Sequence, residues 1–196
     1  MGRIYPAGLG DNRLAAGPRA KLSGPPVRRP LVVLLLAVLA IFGGRAALGD
    51  GGVQDGRVTR VVDGDTLKVR VADREETVRL IGIDTPELHR PGTPVECGAR
   101  AAGRAMEGLA TGRQVTLVPD PGQDARDRYG RLLAYAETAD GADLGEAEVR
   151  AGWAAVYVYG GEPFARVQRY RAAARRARAA AAGVRDRCGG DFHSAS

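Results

Sequence analysis

Three short charged blocks lie inside or beside apolar, strand-like sequence: Asp63-Gly64-Asp65-Thr66, Arg79-Leu80-Ile81-Gly82-Ile83-Asp84-Thr85-Pro86-Glu87, and Asp127-Arg128-Tyr129-Gly130-Arg131. Burying charges in strands is costly unless they are paired or used. A fold for this chain must therefore bring these blocks together, or to a surface where they act.

Around the blocks, the apolar pattern predicts a meander. Gln54–Val62 reads as a strand and Asp63-Gly64 as a turn. In Thr66–Ala72, Leu67, Val69 and Val71 alternate with Lys68 and Arg70, the period of a half-buried strand. Residues 72–75 read as the next turn and Thr77–Ile83 as a third strand. His89–Glu96, with Pro91, Gly92 and Pro94, is a loop. Cys97–Ala110 reads as a helix with Ala101, Ala105 and Leu109 on one face, ended by Gly112. Gln114–Pro119 and Arg131–Thr138 are two further strands around a polar surface loop. Asp143 with Glu146 resembles a capping box opening a helix that Gly152 closes. Pro163 then opens an arginine- and alanine-rich helix to about Ala182, whose arginines read as a solvated face. Three strands, a helix, two strands and two helices is the order of an α+β chain built on a five-stranded oligonucleotide-binding (OB-fold) barrel. Such a fold does not by itself give a function.

Charge is unevenly placed. The chain has 29 Lys/Arg and 23 Asp/Glu, net +6. Residues 1–49 hold seven of the bases and one acid, and so account for all of the excess. The remaining 22 bases and 22 acids balance, so bulk charge gives the domain no affinity for polyanions. Residues 1–30 read as a disordered basic leader. Leu31–Phe42 is a continuous apolar run after Arg28-Arg29, too short for the roughly 20 residues of a usual span. Residues 31–49 thus read as a signal-peptide core cleaved before Asp50, or as an uncleaved anchor. Either places residues 50–190, the folded domain, outside the cell, secreted or anchored. Residues 191–196 form a tail. In an export setting the two cysteines, Cys97 and Cys188, suggest one disulfide, against two unrelated thiols. Closing that loop stabilises by about 4 kcal/mol in the chain-entropy model.

Asp65 follows one turn and Asp84 ends a strand, so a meander can bring the two carboxylates near each other. With the Thr85 carbonyl they make an all-oxygen set suited to a hard cation. Asp63 and Asp65 also suit a plain turn, and Asp84 a strand end. Arg79 shares a strand face with Ile81 and Ile83, which calls for a carboxylate or phosphate partner. Arg131 begins another strand, and Glu87 follows Asp84 across Pro86 as a candidate general base. Asp65, Asp84 and Glu87 outnumber Arg79 and Arg131 by one negative charge. A phosphodiester would add another, and one divalent cation would neutralise the set.

Together, DGDT, RLIGIDTPE and DRYGRLLAY resemble the staphylococcal nuclease (thermonuclease) family of secreted, calcium-dependent nucleases, over about residues 54–188. The resemblance implies an OB-fold barrel with three helices. It implies calcium at Asp65, Asp84 and the Thr85 carbonyl, and catalysis by Arg79, Glu87 and Arg131. Asp127, Arg128, Tyr129, Tyr157 and Tyr159 match a nucleotide-contacting wall. The implied activity is hydrolysis of single- and double-stranded DNA and of RNA to 3′-phosphate ends, by a monomer touching membrane only through its N-terminal apolar segment. Two rivals are a non-catalytic nucleic-acid-binding barrel and a cell-surface interaction domain that kept the fold.

Overall fold

The computed structural model describes residues 51–88 and 92–195. The leader, the apolar run 31–42 and its cleavage point lie outside the described residues, as do the first residues of the loop expected from His89. Among the described residues, no helix is long and apolar enough to cross a membrane.

A closed barrel forms the centre. Strands β1 (Gln54–Val61), β2 (Thr66–Val71) and β3 (Arg74–Leu80) make an antiparallel meander. β5 (Gln114–Val118) and β6 (Leu132–Thr138) close it in the order β1-β2-β3-β6-β5, with β3 and β6 parallel. Alternation drives this closure. Val58, Leu67, Val69, Val78, Leu117 and Ala136 point inward, each at most 1% exposed, while their strand neighbours face outward. The fold is the α+β, OB-type barrel that the element order predicts.

Several boundaries differ, each for a local reason. The second turn takes only two residues, with Ala72 at φ 50°, so Arg74 and Glu75 join β3 and pair with Val71 and Arg70. The third strand stops at Leu80 rather than Ile83. Gly82 there has φ 81°, and a Cβ on it would meet the Phe164 ring at 2.4 Å. The chain bends under that ring, and Ile83–Asp84 becomes a separate strand, β4, paired with β7 (Ala155–Val156). Neither two-residue strand has enough length to show a period in sequence.

Helix α1 (Ala99–Ala110) starts two residues later than expected, after Gly98 at φ 85°. It buries Ala101 of the expected face, Ala102 and Met106 expected beside it, and Ala110, while Ala105 and Leu109 are half-buried. Helix α2 (Leu144–Ala151) is capped by Asp143, which accepts from the Glu146 N–H at 3.1 Å, and by Gly152. Glu146 itself turns to Arg169 rather than back to the cap, so only half of the capping box forms. Helix α3 (Val167–Ala179) begins four residues beyond Pro163. The intervening backbone is held elsewhere: the Ala165 N–H donates to Asp120 at 2.7 Å and Phe164 is buried against Gly82. A short α4 (Val184–Cys188) follows, and Cys188 is bonded to Cys97 across 91 residues, with their Cα atoms 5.9 Å apart.

Glu148, on α2, is fully buried, and neither carboxyl oxygen has a hydrogen-bond partner. Burial, then the charge of Asp65, push its pKa up to about 8. The folded state therefore keeps a proton that the unfolded chain releases near pH 4.5. This favourable contribution is complete below that value and is lost as pH rises towards 8. Glu148→Leu is expected to stabilise the protein more at about pH 8 than near pH 4, by on the order of 3 kcal/mol, in urea unfolding with chelator present. Equal gains at both pH values would contradict a buried, protonated carboxyl.

Candidate active site

Four residues of the first two charged blocks meet at one rim of the barrel. Asp65 leaves the β1–β2 turn, where its N–H donates to Asp63 Oδ1 at 3.1 Å. Its Oδ1 accepts from the Thr66 hydroxyl at 2.9 Å. Its Oδ2 accepts from the Thr85 N–H and hydroxyl at 3.1 and 3.2 Å. Gly64 lets these segments approach: a Cβ there would lie 2.8 Å from Thr85 Cγ2.

Arg79 closes the group. One terminal nitrogen donates to the Leu80 and Ile83 carbonyls at 3.0 and 2.8 Å. The other lies 3.1 Å from Asp65 Oδ2 and 3.3 Å from Asp84 Oδ1. Both carboxylates thus converge on one guanidinium nitrogen. Burial raises the Asp84 pKa despite Arg79. Burial, then the Asp65 charge, push Asp63 up to about 7, and Glu87 is near enough to add to that shift.

A second cluster stands beside the first. Asp127 Oδ1 accepts from the Tyr129 and Arg131 N–H groups at 2.9 and 3.0 Å, and Oδ2 from Arg131 Nε at 2.6 Å. Burial opposes the Asp127 charge, but these partners outweigh it and hold the carboxyl below its usual range. Arg128 and Arg131 flank the Tyr129 ring at 4.8 and 5.4 Å. The β3–β6 register ties the clusters together, since Leu132, next to Arg131, pairs with Val78, next to Arg79. Asp127 is accordingly a hub that fixes Arg131 and Tyr129. Tyr157 follows β7, and its N–H donates to the Gly82 carbonyl at 2.9 Å; Tyr159 begins a one-turn 3₁₀ helix. Tyr129, Tyr157 and Tyr159 are exposed by 68, 45 and 68%. Rings left so open are free to stack on a planar ligand.

The donor chemistry fits a hard cation. Asp65, Asp84 and the Thr85 carbonyl are all oxygen donors. Among the described residues, no three His, Cys, Asp or Glu side chains enclose a metal by themselves. A cation held here would thus complete its shell with backbone oxygen and water. Sequence reading missed Glu96 and His193: His193 lies 3.4 Å from Asp84 Oδ2 and 3.2 Å from Glu96 Oε2. No local motif marks either residue, because the contact joins residues 97 apart in sequence.

The fold and rim define a class: OB-type barrels with an arginine–carboxylate site at one end. Residues 77–184 match the family described as staphylococcal nuclease homologue, more than half the chain, and the protein belongs to that family. That match begins after Asp65, which touches Thr85 and Arg79 within the matched segment. The thermonuclease of Staphylococcus intermedius is 42% identical over 83 residues, 42% of this chain and 48% of the relative. The thermonuclease of Staphylococcus hyicus is 39% identical over 90 residues, 46% and 52% of the two chains. The endonuclease YncB of Bacillus subtilis (strain 168) is 40% identical over 101 residues, 51% and 47%. The chain spans about half the length of the curated relatives it matches.

Gly64→Ala is expected to destabilise by about 1–3 kcal/mol, because the added methyl must push Thr85 off Asp65. Gly108→Ala, in α1 with nothing within 4 Å of the added carbon, is expected to be neutral or stabilising by up to about 1 kcal/mol. Thermal melts of both variants check the contrast.

Proposed function

We propose that this protein is a calcium-dependent nuclease that hydrolyses DNA and RNA phosphodiesters to 3′-phosphate ends. The observation that carries the reading is the convergence of Asp65 and Asp84 on Arg79, with Glu87 three residues beyond Asp84 and Arg131 fixed by Asp127. Membership of a family with thermonucleases and an endonuclease supports it.

Each residue has a separable task. Asp65, Asp84 and the Thr85 carbonyl would hold calcium, which when bound supplies positive charge at a phosphoryl oxygen. Glu87 takes a proton from the attacking water. The water oxygen bonds to phosphorus, the bond from phosphorus to the 5′-oxygen breaks, that oxygen takes a proton from solvent to become a hydroxyl, and the phosphate stays on the 3′-oxygen. Arg79 and Arg131 donate to the oxygens on which charge grows. Asp127 occupies the Nε edge of Arg131, so the two terminal nitrogens can face phosphate. Tyr129, Tyr157 and Tyr159 offer rings to bases and hydroxyls to phosphates. Substrates are single- and double-stranded DNA and RNA. The protein acts as a monomer outside the cell, secreted or held by its N-terminal apolar segment.

The test is cleavage of single-stranded DNA and RNA by the full chain, in calcium and in chelator. Activity is expected in calcium only. Binding without cleavage from neutral to strongly alkaline pH would favour a non-catalytic nucleic-acid-binding barrel. Arg79→Lys and Arg131→Lys are each expected to lose at least about 100-fold in kcat, since lysine cannot reproduce the fork. Glu87→Gln is expected to lose activity while still binding substrate. Wild-type turnover in that variant would remove Glu87 from the role of base.

A further inference from the structure

Glu96 stands at the far end of the loop that starts at Glu87, and it is buried, 7% exposed. Its Oε2 accepts from the Glu87 N–H at 2.7 Å, and its own N–H donates to the Glu87 carbonyl at 3.1 Å. The two bonds run in opposite directions, so the backbone of Glu87 can neither slide nor rotate without breaking one. A buried carboxylate is costly unless its oxygens are hydrogen-bonded. The C-terminal tail reaches this one. His193 Nδ1 lies 3.2 Å from the same Glu96 Oε2, and its Nε2 lies 3.4 Å from Asp84 Oδ2. The ring thus stands between the two carboxylates.

The tail is held there by other contacts too. The Cys97 N–H donates to the Ser194 carbonyl at 2.7 Å, and Ala195 bridges Glu96 in antiparallel fashion. The Cys97–Cys188 bond anchors the tail's base. Residues 188–195 therefore return to the segment that fixes the two ends of the Glu87 loop.

We propose that Glu96 is a positioning residue for Glu87, and that His193 completes the active site from the C-terminal tail by holding Glu96 and Asp84 in one frame. The inference rests on the reading of Glu87 as the base. Its physical basis is tolerance: a reacting group displaced by about 1 Å loses on the order of 100-fold in rate. A residue outside the reacting groups matters when it locks their placement.

The experiment compares Glu96→Ala, Glu96→Gln, His193→Ala and a chain ending at Gly190, all oxidised, with wild type. Glu96→Ala is expected to lower kcat by about 10–100-fold with KM within about threefold. Glu96→Gln keeps an oxygen for the Glu87 N–H and is expected to recover most of that loss. His193→Ala and the shortened chain are expected to lose about 3–10-fold in kcat, again with KM little changed. Amide hydrogen exchange gives a readout apart from catalysis: protection of the Glu87 N–H is expected to fall in Glu96→Ala and to persist in Glu96→Gln. Wild-type kcat in Glu96→Ala, equal losses in the Ala and Gln variants, or unchanged Glu87 protection in Glu96→Ala would each overturn the positioning role. Full kcat in both His193→Ala and the shortened chain would overturn the role of the tail. If wild type cleaves nothing, the nuclease reading fails, and the exchange measurement still decides whether Glu96 pins Glu87.

Discussion

The Arg79 guanidinium holds the carbonyls of Leu80 and Ile83 on one nitrogen and the carboxylates of Asp65 and Asp84 on the other. Its side chain is only 15% exposed, so these contacts replace most of its water. Desolvating an ion pair is costly, and breaking one that is already buried is costlier still, commonly about 3–5 kcal/mol. The clamp therefore dictates the path of the chain around it. It captures two carbonyls on either side of Gly82, which stabilises the bend that ends β3. The bend releases Ile83–Asp84 to pair with β7, and β7 in turn fixes where Tyr157 leaves the sheet. One side chain thereby sets both the rim geometry and the start of the aromatic wall.

A second polar network docks the long helix on the barrel. Asp120, in the β5–β6 loop, accepts from Tyr135 and from the Ala165 N–H. Asp143 accepts from Arg166 at 2.6 Å and from the Tyr170 hydroxyl at 2.8 Å. Arg166 also pairs with Glu137 and stacks over the Tyr135 ring at 3.9 Å. Tyr135, Phe164 and Tyr170 meet edge to face or tilted, with centroids 5.2–6.5 Å apart. Each such pair adds about 0.5–1.5 kcal/mol beyond area burial. Every charge in this cluster has a partner, the condition under which buried polar groups specify one packing rather than weaken it.

The barrel was legible because its strands alternate cleanly, as in Leu67, Val69 and Val71 against Lys68 and Arg70. The helix beginning at Asp143 was legible because its cap chemistry is local. What escaped sequence reading is non-local. β4 and β7 are two residues each, too short for a period, and follow a bend at Gly82 that Arg79 clamps and the Phe164 ring covers. The late start of α3 depends on Asp120, 45 residues away from Ala165. At the site, Asp65, Arg79 and Asp84 could be paired by topology, since a meander returns its turns to one end. Glu96 and His193 could not, because residues 191–196 read as a tail and carry no motif. Val184 shows the same limit: nothing nearby marks it, yet it is fully buried, and its side chain lies close to Gly98.

Formal neutrality of the domain conceals a separation of charge. Asp63, Asp65, Asp84, Glu87 and Glu96 lie near one another, with Arg79 between Asp65 and Asp84 and the His193 ring between Asp84 and Glu96. Arg171, Arg175, Arg178 and Arg185 line a groove of about 480 Å³ formed by α2, β7, α3, α4 and the tail. Burial first, and the Asp65 charge second, raise the pKa of Asp63 and Glu148. Whatever charged groups do at this rim is done through the geometry of a few side chains, with no help from the net charge of the domain.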